Sequence, residues 1–238
     1  MPHFPWAYND YGTVLVNYLE ETAKREELKE TEVATAEQWI LKATELDPAY
    51  AFPLSNLARL YWVFATNQLG HGQNLQSSAA RAIEYARRAL AKDPQLQNAS
   101  FAIAAAYLLQ AEFALWSGAD PVTFTKQATA VAEERLKQNP KAPDLYWLRE
   151  QAYWIEAEAL LRQHRQPEPA IVQGQREAQR CHDLHPPFPD CYLTEVQLLL
   201  TQAASLRSQG RAVDKTIAQA WERLERATAI AKDTFDLR

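Results

Sequence analysis

The chain has 238 residues, a net charge of −5 and a sequence pI of about 5.6, so it lacks the positive field that marks a nucleic-acid binder. With 47% hydrophobic and 23% charged residues it can bury a large core, and no apolar run approaches the roughly 18 residues that span a bilayer. Its two cysteines are no disulfide framework. Together with an N-terminus lacking the basic and apolar regions of a signal peptide, this makes the cytoplasm the expected compartment.

Four prolines, Pro48, Pro94, Pro140 and Pro186, stand 46 residues apart, and stepping back once more reaches Pro2. The flanking residues align without a gap, dividing the chain into repeats 2–47, 48–93, 94–139, 140–185 and 186–231, with 232–238 opening a sixth. A period of this length predicts stacked helical pairs, each burying its apolar face against its neighbours. Proline ends one pair and starts the next, because it cannot continue a helix and disfavours helical geometry in the residue before it. Asp47, Asp93, Asn139 and His185 fill that preceding place, and all suit a turn.

The first repeat carries Tyr8, Tyr11, Gly12 and Leu15, then Ala36 on its second helix. Its charges, Glu20, Glu21, Glu26 and Glu27 among Lys24, Arg25 and Lys29, read as a solvated helix face. Leu54, Leu57, Ala58 and Tyr61 follow in the second repeat, with a breaker at Gly72, a cap at Asn74 and small residues at Ala82 and Ala89. In the third, Phe101 to Trp116 has helical period and length, Gly118 suits a left-handed helix stop, and Asp120 with Pro121 caps the helix of Ala128. The fourth repeat has a long helix from Tyr146 to Leu161, but Arg149 and Glu150 stand where earlier repeats are apolar and small. His164 replaces the glycine breaker there and is assigned no role, while Gly174 takes the small position of the second helix. Glu195 and Val196 interrupt the pattern again in the fifth repeat, which predicts looser or solvent-exposed helix contacts, before Gly210 and Ala220 restore it. No alternating β-branched run predicts a strand.

Cys181, His182, His185 and Cys191 crowd one turn, but not as the two close ligand pairs of structural zinc. Cys181 also aligns with Ala43, Ala89 and Ala227, so a buried small cysteine and turn histidines are expected in place of a metal site. No cofactor motif or catalytic constellation emerges, and the chain is expected not to be an enzyme.

The spacing at Leu54, Leu57, Ala58 and Tyr61, at Tyr8, Tyr11, Gly12 and Leu15, at Ile103, Ala104 and Tyr107, and at Ala82 and Ala89 resembles the tetratricopeptide repeat family. That family's period is about 34 residues, so each unit here carries about a dozen more, placed as longer helices. The resemblance implies an all-α, right-handed solenoid of about five helix-turn-helix repeats. Long units, the Tyr8 to Gly12 string and the Gly118 to Pro121 turn look like the repeat regions that trail the catalytic domain of some bacterial serine/threonine kinases. Met1 beside Pro2, and a sixth repeat that never develops, point to a piece cut from a longer protein, with any kinase domain outside this chain.

In that family the first helices line a concave binding face. By register the face here would carry Trp6, Asn9, Phe52, Arg59, Trp62, Asn98, Phe101, Trp147, Gln151 and Trp154. The implied function is a non-catalytic interaction or scaffolding module holding a protein or peptide segment in this groove, with no nucleic-acid or membrane partner. The rival readings are rings packed into the core, a carrier with an enclosed apolar pocket for a small molecule or lipid, and self-association through exposed end repeats.

Overall fold

The computed structural model describes residues 4–236, with side chains through residue 232; Pro2, the first in-register proline, lies outside the described residues. It is all-α. Among the described residues there are ten helices and no strand: α1 (Pro5–Ala23), α2 (Glu30–Leu46), α3 (Phe52–Gly70), α4 (Gln76–Lys92), α5 (Gln97–Trp116), α6 (Val122–Gln138), α7 (Pro143–Arg162), α8 (Glu168–Leu184), α9 (Pro189–Ser208) and α10 (Asp214–Asp236). The second helix of each pair begins at Glu30, Gln76, Val122, Glu168 and Asp214, each 46 residues after the last, so the helices keep the phase of the prolines.

Both turn types recur because the same local chemistry recurs. Within pairs, Gly72, Gly118 and Gly210 take positive φ (68°, 78° and 70°), and His164 takes φ 54° at the equivalent place. There the next N–H closes a six-residue loop onto the helix: Gln73 to Gln68, Ala119 to Ala114, Arg165 to Leu160 and Arg211 to Leu206. This is the left-handed helix stop that glycine favours, and His164 adopts it with a side chain. Asn74 and Asp120 each accept the N–H two residues on, at 3.0 Å, as the next helix starts. Between pairs, Asp47, Asp93 and Asn139 accept the N–H two residues on at 2.9, 2.9 and 3.3 Å, so the residue before each of these prolines folds the turn with its own side chain. In the last pair Lys232 stands where a proline would break the helix, and α10 runs on to Asp236.

Two compact units share the chain, one ending at Phe113 and the other starting at Ala114. In the first, α1 packs on α2 and α3, α2 on α3, and α3 on α4. In the second, α7 packs on α6, α8 and α9, and α9 packs on α8 and α10. The small positions Ala36, Ala82, Ala128, Gly174 and Ala220 are all buried where helices come close. A Cβ on Gly12 would collide with Ile40, and one on Gly174 would lie 2.7 Å from Leu198 Cδ1.

Sequence reading found no stretch fit to span a bilayer, yet α5 has sufficient length and mean hydropathy by composition. Most of that window is buried inside the protein, and Gln110 is among its buried residues. Its alanines, Ala99, Ala102, Ala104, Ala105, Ala106, Ala111 and Ala114, are core residues, so α5 fits a core helix.

Candidate functional site

In the first unit the predicted face is a mixture of exposed rings and polar ties between helices. Trp6 and Phe52, one repeat apart, are 56% and 54% exposed, and each ring sits beside a second one: Phe4 at 5.6 Å and Tyr50 at 5.9 Å. Asn9 is buried, because Asn56 donates to its Oδ1 at 2.8 Å and also to Thr13 Oγ1 at 2.9 Å. Arg59 is half-buried, ion-paired with Glu20 and donating to Asn17 Oδ1 at 2.8 Å. These bonds fix α1 against α3. Trp62 and Phe101, both half-buried, meet edge to face at 5.7 Å, a favoured ring geometry, while Asn98 is exposed.

The second unit holds Trp147, Gln151 and Trp154, all half-buried. Trp147 Nε1 donates to Thr194 Oγ1 at 3.0 Å and its ring meets Phe188 at 5.7 Å. Trp154 packs against the core of Ala157, Ala170, Ile171 and Leu198. These two rings therefore join α7 to the pair that follows.

A cleft opens beside a turn in each unit, at matching register. One of about 490 Å3 has Leu28, Glu30, Phe64, Gln68 and Gln73 in its wall. The other, of about 360 Å3, has Asp120, Val122, Glu156, Leu160 and Arg165, each 92 residues further on. Both walls mix charge with apolar side chains.

The second unit also contains a buried polar cluster around Arg149 and Glu150, the residues that depart from the apolar and small pattern of the repeat, and it extends to Glu195, where a looser or exposed contact is expected from the sequence. Charged residues default to solvent, but Glu150 and Glu177 are 0% and 2% exposed, and the Arg149 side chain is 14% exposed. Arg149 and Arg180 approach Glu177 Oε1 at 3.4 and 3.1 Å, and Arg149 also reaches Glu133 at 3.5 Å. The Cys191 thiol donates to Glu150 Oε2 at 3.1 Å. Burial pushes the Glu150 carboxyl well above its usual range. Its bond to Cys181, then burial and the nearby Glu150, push the Cys191 thiol up as well. At Glu195 burial acts upward, but the bonds to His182 (3.2 Å) and Arg223 (2.8 Å) outweigh it and hold this carboxyl low. Glu150 Oε1, Glu177 Oε2, Arg149 Nε and His182 Nδ1 are enclosed with no hydrogen-bond partner among the described residues. The signal for this cluster was present in the register, since Arg149, Glu150 and Glu177 occupy the places of Leu57, Ala58 and Tyr85.

Cys181 and Cys191 are free, fully buried thiols packed with Ala178. His182 stacks on Tyr192 at 4.0 Å, and His185 sits 6.0 Å from Phe188. Among the described residues no group of three histidine, cysteine or acidic side chains could hold a metal ion. The Cys191–Glu150 bond ties α9 to α7 inside the core. No protein-family model matches the chain, and no characterised protein matches it.

Proposed function

We propose that the chain is a non-catalytic interaction module of the tetratricopeptide kind, binding an apolar peptide segment along the first helices of the first unit. One observation carries this reading: Trp6 and Phe52 keep more than half of their surface in solvent at the same register position of successive repeats. Paired exposed rings are what a peptide's apolar side chains bury at a recognition site, since aromatic residues supply much of the energy at such contacts. Asn98 is exposed at the same register position one repeat on, and the bond of Arg59 to Asn17 holds the first helices that carry Trp6 and Phe52 together. An enclosed carrier pocket would sequester the tryptophans instead. None of the seven belongs to the buried core, and Trp6, Trp116 and Trp221 are more than half exposed.

Selection of a displayed random-peptide library on the folded chain tests this. Apolar or aromatic peptides should be enriched, and Trp6→Ala with Phe52→Ala should weaken them at least roughly 30-fold without loss of helicity. An empty selection, or peptides indifferent to both substitutions, would refute the proposal.

A further inference from the structure

The repeat-to-repeat contact follows one rule inside the chain. Leu57, Leu60 and Phe64 of α3 are at most 7% exposed. At the register positions of Leu57 and Phe64, polar side chains of later first helices reach the preceding second helix. Gln110 meets Gln76, Arg149 meets Glu133, Glu156 meets Thr125, Glu195 meets His182, and Gln202 meets Gln175. The other half of the contact is seen where the fourth repeat meets the fifth: Trp147, Trp154 and Gln175 engage Thr194, Leu198 and Gln202.

The two ends of the chain leave complementary halves of this contact open. On α1 the positions of Leu57, Leu60 and Phe64 hold Tyr11, Val14 and Tyr18, exposed by 41%, 61% and 61%. Trp39 backs the stripe, with Tyr11 at 4.7 Å. On α9 and α10 the positions of Trp147, Trp154 and Gln175 hold Leu193, Leu200 and Trp221, exposed by 44%, 49% and 61%. All six are large hydrophobic side chains left in solvent. We infer that this 238-residue chain associates head to tail, the α9–α10 face of one copy seating on the α1 face of a second copy as one repeat seats on the next. The occupant is a second copy because one molecule carries both halves of a contact that the fold already makes internally. The interface is heterologous, with different patches meeting. It goes beyond the peptide-binding reading and does not rest on it, since neither face includes Trp6 or Phe52.

Sedimentation of two variants distinguishes this arrangement from others. Val14→Glu with Tyr18→Glu disables the α1 face, and Leu200→Glu with Trp221→Glu disables the other; every position is exposed, and circular dichroism checks the fold. The unsubstituted chain should gain mass with concentration above its 27.1 kDa. Each variant alone should associate at least roughly 30-fold more weakly. An equimolar mixture of the two should form a 1:1 complex, because each supplies the face the other has lost. An unsubstituted chain that stays monomeric up to about 1 mM overturns the inference. So does a mixture that stays monomeric, or a variant that still associates by itself, which would mean like faces pair.

Discussion

Two regions fill the same register positions with opposite chemistry. In the first unit Leu57, Ala58 and Tyr85 close the contact between successive pairs, and two repeats later Arg149, Glu150 and Glu177 stand in their places. Burial is nearly the same in both. The first unit keeps its charge at the rim. Glu37 accepts from the hydroxyls of Tyr61 and Tyr85, each at 2.8 Å, and pairs with Arg81, whose guanidinium lies 4.0 Å from the Tyr61 ring centre. The second unit encloses its carboxylates and leaves some of their oxygens unpartnered. Register and helix spacing thus decide how deep a position lies, whatever side chain it carries. A buried charge adds little net stability, because desolvation offsets the attraction of its partner.

The largest expected effect is on the apolar side of the comparison. Leu60→Ala should cost about 2–5 kcal/mol in chemical denaturation, as a fully buried leucine leaves a cavity. Next, Arg149→Leu alone should cost about 3 kcal/mol, since Glu177 loses one of its two arginines and stays buried. Transplanting the whole first-unit set, Arg149→Leu with Glu150→Ala and Glu177→Tyr, should reverse the sign and leave the chain unchanged or more stable by about 1–4 kcal/mol. If the triple variant is less stable than the single one, the two regions are not interchangeable by register.

A pH series sharpens the same contrast. The folded chain holds a proton on Glu150 that the unfolded chain releases above its ordinary value of 4.5, so this group makes stability fall as pH rises beyond that value, by at most about 1.4 kcal/mol per pH unit. Glu150→Gln should remove that slope. Glu195 acts with the opposite sign in a separate window: its carboxyl is held low, so its contribution is present above the ordinary value and is lost in acid. The smallest effect lies in the turns. His164→Gly should gain about 0.5–1 kcal/mol by relieving a positive φ, and Gly118→Ala should lose about 1 kcal/mol at the equivalent place, both read from thermal melts.

The repeat was legible because its markers act locally. Proline cannot continue a helix, Asp47 and Asp93 fold their own turns, and Gly72, Gly118 and Gly210 mark the helix stops. Which face each helix turns to a neighbour depends on two partners at once, and a single helix period does not carry that. Asn9 was therefore expected in a groove and is tied under Asn56, and at Glu195 and Val196, where a looser or exposed contact was expected, Glu195 bonds His182 and Arg223. The rings fall between these cases: Trp6 and Phe52 stand out in solvent, whereas Trp62, Trp147 and Trp154 are half-covered by adjoining helices.

The most direct test of burial by register is the side-chain carboxyl 13C shift of Glu150, followed by NMR with Glu150→Gln as the assignment control. A carboxyl in the place of Ala58 should keep the shift of the neutral acid well above the ordinary carboxylate range, because the closed core disfavours its charge. A midpoint near its ordinary 4.5 would show that water reaches this position and would contradict the account.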